Sequence, residues 1–436
     1  MKLLSKVFLH LVGLYIGATA TTCSPSNTTT MVQLSCDEGF HFEILRSLAT
    51  ASSGGSDIGE VLTAAYKITP GDFESYTAAY TELADHVLAQ GKALDARKYP
   101  VSVRDTMFRA AMYYQSADFY LHGNQSDPRI LSLWEKLQGA FNVSLSLLPV
   151  PGRRVNIQAD GFYVPCIYYK AAADNTPRPT LVIGGGYDGG QEEVYHQVGY
   201  AALQRGWNVI SYEGPGQASP RRYQSLSFIP EWEKVVTPVV DYITTLPEVD
   251  LDALALVGVS FGGWLAPRAA AFEHRFTAVV ALDGIYDFGP STLQSLPSEF
   301  QVAFKAGNAT LFNALINKVR ETPSVSSKFR WSIDQGLWSW DTTSPFEWMT
   351  ALQNYTLAPV IDKIKGPVFV GDAQNDLFFS NSGEVLAKHL GDRAYYYQFK
   401  TAYGDGSHAG VGAYSLQNQI VMDWLKQKFQ SRACQV

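Results

Sequence analysis

The chain changes texture part-way along its length. From residue 37 to 148, apolar side chains recur at three- and four-residue steps. Tyr76, Ala79, Tyr80, Leu83, Val87 and Leu88 form one stripe. Met107, Ala110, Ala111, Tyr114 and Phe119 form another, within a helix predicted over 102–121. A third helix is predicted over 130–148. Pro149-Val-Pro151-Gly152 then breaks the helical pattern. Beyond it, short apolar, β-branched runs take over. Residues 154–157 and 161–169 read as a pair of strands. Residues 179–183, 207–212, 254–257, 278–282 and 367–370 read as further strands, with helical stretches such as 194–204 and 235–245 between them. Strands alternating with helices predict βαβ units and a mostly parallel sheet, an α/β fold. Residues 288–360 interrupt this rhythm with a helical, Trp- and Phe-rich stretch. An insertion there is expected over the C-terminal strand ends, where open α/β sheets bind ligands. With the N-terminal helices it would form a lid.

The ends of the chain add an address. Lys2 and Lys6, the apolar run 7–16 and Ala18-Thr19-Ala20 have the pattern of a secretory signal peptide over 1–20. The other reading is an uncleaved membrane anchor, because the run approaches spanning length. The expected organisation is therefore a signal peptide (1–20), a flexible Thr/Ser-rich leader (21–36), a helical cap domain (37–150) and a catalytic domain (151–436) carrying the lid-like insertion (288–360). The expected location is the exterior or the endomembrane lumen, with no stable membrane span after cleavage. Sequons at Asn27, Asn124, Asn142, Asn308 and Asn354 suit a glycoprotein. The cysteines Cys23, Cys36, Cys166 and Cys434 allow two bridges in an oxidising compartment, and their spacing is not that of a zinc site. Cys166, in an apolar strand-like run, reads equally as a buried free thiol.

Composition narrows the partners. The 436 residues are 46% apolar and 13% aromatic, enough for a large core. The net charge is −7 and no Lys/Arg cluster appears, which argues against nucleic acid. The expected partner is a small apolar molecule, and the composition leaves room for a homodimer.

The chemistry concentrates at Gly258-Val-Ser260-Phe-Gly262. An apolar run, 253–257, precedes it and a helix-like segment, 263–271, follows. Strand, G-x-S-x-G, helix is the context of a nucleophile elbow, where the glycines admit a very tight turn. The fold class this implies is the α/β-hydrolase fold. A serine hydroxyl needs a histidine to take its proton and a carboxylate to orient that histidine, in the chain order Ser, acid, His. Only His408 lies in a loop late enough, Tyr403-Gly-Asp-Gly-Ser-His-Ala-Gly410, ahead of a C-terminal helix. For the acid, Asp376 is favoured over Asp372, which stands so close to its strand that it points inward or caps a turn. Asp283, at another strand end, is the third candidate, with a purely structural role as its alternative. The oxyanion donors are expected to be the backbone N–H of Phe261 and of Gly186 or Tyr187, in the loop Gly184-Gly-Gly-Tyr-Asp-Gly-Gly190. That loop lacks the endings of phosphate-binding loops. Glu213, in a Gly-Pro-Gly turn, either bonds neighbouring loops or is solvated. No metal and no cofactor is called for.

Several segments together resemble one hydrolase family. They are residues 104–117, Asp127-Pro-Arg129, Gly185-Gly-Tyr-Asp-Gly189 with Glu192-Glu193, Glu213-Gly-Pro-Gly-Gln217, Gly258-Val-Ser-Phe-Gly-Gly263 and Asn375-Asp-Leu-Phe-Phe379. The family holds the bacterial 2,6-dihydroxypseudooxynicotine hydrolase and fungal hydrolases of polyketide pathways, including a chain-shortening pigment hydrolase and the 20-hydroxy-prefusarin hydrolase. The resemblance runs from about residue 37 to the end. It implies a triad of Ser260, Asp376 and His408, a closing N-terminal cap, and cleavage of an ester, a lactone or a C–C bond beside a ketone in a secondary-metabolite substrate. The chain departs from the family at Glu213, usually Asp, at Ser407 and Ala409, and in its signal peptide. A prolyl-oligopeptidase-like peptidase and an idle, ligand-binding relative are the competing readings. The first lacks room for a propeller before the core. The intact Ser, Asp and His argue against the second.

Overall fold

A computed structural model describes residues 31–433. The signal peptide, most of the leader, Asn27, Cys23 and Cys434 lie outside the described residues.

An eight-stranded sheet forms the centre. In chain order its strands are β1 (Arg153–Gln158), β2 (Tyr163–Tyr169), β3 (Arg178–Gly184), β4 (Asn208–Tyr212), β5 (Val249–Val259), β6 (Ala278–Leu282), β7 (Val368–Ala373) and β8 (Ala394–Phe399). Their spatial order is β1-β2-β4-β3-β5-β6-β7-β8. The β1–β2 and β2–β4 pairs are antiparallel, and every pair from β4–β3 to β7–β8 is parallel. Every residue of β4, β6 and β7 is buried. That is why these strands read as continuous apolar runs: helices cover both faces of a parallel sheet. β8 was not anticipated. It is an edge strand whose Tyr395 and Tyr396 are exposed, so it lacks the apolar run of its neighbours. The helical stretch expected over 194–204 exists, but a π turn, Tyr195–Gly199, interrupts it between Gln191–Val194 and Tyr200–Leu203.

Helices fill the region before the sheet: Glu38–Ala49, Ile58–Ala65, Phe73–Lys92, Pro100–Asp118 and Arg129–Ser146. Asp37, Asp57 and Asp72 each cap one of the first three, accepting from backbone N–H groups in the first turn. Tyr76, Tyr80 and Val87 are fully buried, as their spacing requires. Between β6 and β7 come Gly289–Ser295, Ser298–Lys305, Ala309–Arg320, Ser327–Ser339 and Pro345–Leu352. Arg222 locks these layers together. Its guanidinium lies 4.3 Å from the Trp134 ring centroid and 4.7 Å from that of Trp338, and it pairs with Asp118. Trp134 belongs to the N-terminal helices and Trp338 to the insertion. Both members of the ion pair are almost wholly buried.

Cys36 is disulfide-bonded. Cys166 is a free thiol inside β2, buried and pushed well up in pKa by that burial. One free cysteine among four excludes the two-bridge arrangement and matches the buried-thiol reading. Asn124, Asn142, Asn308 and Asn354 are exposed. Two of them also act locally: Asn308 caps its helix at Leu311 N–H, and Asn142 accepts from Arg154. Among the described residues, no helix is long and apolar enough to cross a membrane.

Arg222→Met would leave the Asp118 carboxylate buried without its cation. It is expected to lower the unfolding free energy by about 3–5 kcal/mol, measured by urea denaturation. A loss of about 1 kcal/mol or less, typical of a surface pair, would count against this joint.

Candidate active site

Ser260 follows β5 directly and precedes the helix Gly262–Ala270. Its backbone is left-handed, φ 62°, a conformation that costs a residue with a side chain about 1–3 kcal/mol. The flanking glycines are steric necessities. A Cβ on Gly258 would stand 1.9 Å from the Gly262 carbonyl oxygen, and one on Gly263 would stand 2.2 Å from that of Asp283. The Ser260 N–H donates to Leu282 O and the Gly263 N–H to Ser260 O, which fixes the turn from both sides.

The turn carrying His408 lies beyond β8, 148 residues after the serine. His408 Nε2 is 2.8 Å from Ser260 Oγ, and His408 Nδ1 is 2.8 Å from Asp376 Oδ2. In the tautomer protonated at Nδ1, the ring donates to Asp376 and accepts from the serine hydroxyl. Asp376 stands in the loop after β7, and its Oδ1 accepts from the N–H groups of Phe378 and Phe379. The Asp-Leu-Phe-Phe segment thus holds its own carboxylate still. The structure therefore brings Ser260, Asp376 and His408 together.

Asp372 lies elsewhere. Its carboxylate accepts from Gly383 N–H and the Tyr396 hydroxyl, tying the helix Ser382–Leu390 and β8 to β7. Asp283, directly after β6, also reaches the histidine: Oδ2 is 3.1 Å from Nδ1. The charges respond to one another. Burial works against ionising Asp376, but His408 and the two backbone N–H groups hold its pKa below the usual carboxylate value. Burial and the nearby Asp376 raise Asp283, against the pull of His408. Burial disfavours the charged His408 ring, yet Asp283 and Asp376 outweigh it and raise the pKa to about 9.

The glycine loop after β3 is pinned from behind. Gln217 Nε2 donates to the carbonyls of Gly185 and Gly186, at 3.0 and 2.9 Å, while its Oε1 accepts from Gly214 N–H. A trans peptide points its N–H opposite its C=O. Anchoring these two carbonyls therefore aims the Gly186 and Tyr187 N–H groups away from Gln217. The space between loop and elbow is tight, since a Cβ on Gly186 would lie 2.7 Å from Phe261 N. Glu213 is buried and accepts from Gln191 N–H and Ser219 N–H, so it joins neighbouring loops and is not solvated. The insertion braces the same loop: Tyr187 donates its hydroxyl to Ser332 O, and its carbonyl accepts from Gln335.

These parts border a cavity of about 640 Å³ that includes Ser260, Gly186, Tyr187 and His408. Trp331, Trp348, Phe378 and Phe379 supply much of its apolar wall. The first helix contributes Phe42, 6.2 Å from the His408 ring centroid, and Arg46. Arg46 bonds Glu193 at 2.5 Å and Asp188 at 2.8 Å. Glu43 beside it is buried, and its pKa is pushed up to about 8. Neither Arg46 nor Gln217 was identified as functional from sequence alone. Gln217 carried a signal, as the last residue of the turn Glu213-Gly-Pro-Gly-Gln217. Arg46 carried none.

A model of the alpha/beta hydrolase family matches residues 181–410. Hydrolase acrC of Aspergillus aculeatus is 30% identical over 421 residues, covering 90% of this chain and 96% of its own. The 20-hydroxy-prefusarin hydrolase of Gibberella moniliformis is 30% identical over 410 residues, covering 89% and 96%. Among solved structures, 2,6-dihydroxy-pseudo-oxynicotine hydrolase is similar in fold, with a TM-score of 0.67 at 19% identity over 87% of this chain and 94% of that one. The chain belongs to the alpha/beta hydrolase family and is a hydrolase, as the resemblance in its sequence implied.

Gln217→Ala would free the glycine loop. It is expected to lower kcat by about 10- to 100-fold, within the range for losing an oxyanion donor, with little change in KM. Gln217→Glu keeps the acceptor for Gly214 but loses both donors, and is expected to be impaired as strongly. Wild-type kcat in either variant would show that the loop needs no such anchor.

Proposed function

We propose that the protein is a serine hydrolase acting on a carbonyl of an apolar, polyketide-like small molecule. The observation that carries this reading is the unbroken chain of 2.8 Å contacts from Ser260 Oγ through the His408 ring to Asp376, on the border of an apolar cavity. His408 Nε2 takes the hydroxyl proton as Oγ attacks the carbonyl carbon. The resulting oxyanion is held by the N–H of Phe261 and those of Gly186 and Tyr187. Collapse expels the leaving group, which receives the proton from His408. Water then attacks the acyl-enzyme by the same route in reverse. An ester or lactone releases an alcohol. A β-dicarbonyl releases a carbanion stabilised by its remaining ketone, which the imidazolium protonates. The aromatic wall, and the 20-hydroxy-prefusarin in the name of the Gibberella moniliformis relative, support an apolar, oxygenated substrate.

A secreted or endomembrane location belongs to the same proposal. It is supported by the disulfide at Cys36, since such bonds persist in oxidising compartments, and by the four exposed sequon asparagines.

Ser260→Ala is expected to cut turnover of nitrophenyl esters and β-diketones by about 10⁴-fold or more and to abolish labelling by a fluorophosphonate probe. Turnover by the alanine variant at the wild-type rate would remove the mechanism. The base must be neutral to act, and its pKa is raised to about 9. So kcat/KM is expected to fall as the pH is lowered from 9 towards 6, with its midpoint above the 6.5 of an ordinary histidine. A midpoint at or below 6.5 would contradict the electrostatics described here.

A further inference from the structure

Two carboxylates face one N–H at His408. Asp376 Oδ2 lies 2.8 Å from Nδ1 and Asp283 Oδ2 lies 3.1 Å from it. They arrive independently, from the ends of the adjacent parallel strands β7 and β6. Both side chains are almost completely buried, at 2% and 3% exposure. Asp283 Oδ2 also accepts from the N–H of Ala409, at 2.6 Å, so one oxygen touches both the catalytic ring and the backbone directly after it. Its own backbone is left-handed, φ 62°, held where the Gly284 N–H bonds Gly371 O on β7.

We propose that Asp283 is a second positioning carboxylate for His408, able to receive the Nδ1–H when Asp376 cannot. This rests on the Ser260–His408 reading above and adds a residue to it. The physical argument is charge sharing. Two buried carboxylates around one imidazole do not both ionise easily, because like charges repel in a poorly solvated site. The groups facing His408 are Asp376, Asp283 and, further off, Asp188. Asp376 has two backbone N–H donors for its other oxygen and Asp283 has one for the oxygen that faces the ring, so the resting charge sits on Asp376. Burial and the charge of Asp376 together hold Asp283 protonated, against the pull of His408. Neutralise Asp376, and the repulsive part of that disappears while the pull of the imidazolium remains. Asp283 then ionises 3.1 Å from the same nitrogen and orients the ring in its place.

Asparagine is the right probe. It keeps an oxygen for the Ala409 N–H and tolerates a left-handed backbone, so a purely structural role for Asp283 survives the change. Measured with a nitrophenyl ester, Asp376→Asn is expected to lose about tenfold in kcat and Asp283→Asn less than threefold. The double variant is expected to lose about 10⁴-fold, the loss seen when a triad aspartate is replaced outright. KM should move little. The downfield proton resonance of His408 Nδ1–H should persist in each single variant and vanish in the double one. A loss of about 10⁴-fold with disappearance of that resonance in Asp376→Asn alone would overturn the proposal. So would an Asp283→Asn variant as impaired as the double one. The Asp376→Asn result decides the matter whatever the stability of the double variant. Failure of the underlying reading shows separately, as wild-type turnover by Ser260→Ala.

Discussion

A hydroxyl in a left-handed turn and an imidazole 148 residues later lie within one hydrogen bond of each other. That contact can exist only because the chain is forced around the turn at Ser260. The backbone there is strained, and its N–H and C=O are both tied, to Leu282 and Gly263. A Cβ at Gly258 or Gly263 would collide with main-chain oxygens, so the sequence of the turn is dictated by atoms that cannot move. The parallel sheet does the rest. β5, β6 and β7 run side by side in the same direction. Serine and both carboxylates therefore leave the same edge, and the loop after β8 needs only to drop a histidine among them.

Around this contact the protein uses buried polar side chains as struts. Gln217 holds two carbonyls of the glycine loop, and Glu213 joins that loop's helix to the one after β4. Such groups are costly to bury unless every partner is present. Their value here is placement: a donor displaced by even a fraction of an ångström stabilises a developing charge less well. Arg222, between Trp134 and Trp338, does at the scale of whole layers what Gln217 does within one loop.

Much of this was legible in the sequence, and the reasons are specific. Ser260 announced itself because the elbow tolerates nothing but glycine at its tightest points. His408 followed by elimination, since chain order leaves one late histidine in a loop. The central strands were visible because burial on both faces removes polar residues from them. The choice among acids was only half visible, because Asp283 and Asp376 both stand at strand ends. That both reach one nitrogen is a fact of three dimensions. β8 was hidden because an edge strand with one solvated face carries tyrosines instead of an aliphatic run. Arg46 left no trace either: its partner Glu193 is 147 residues away and no local pattern links them.

The phenol of Tyr187 is tied to Ser332 and its carbonyl to Gln335, both on the helix Ser327–Ser339 that walls the cavity. The wall and the reactive loop are thus one mechanical piece. A shift of that helix would therefore be felt at Tyr187 and at the backbone beside it. The shape of the pocket and the set of the loop are thus tuned by the same two bonds.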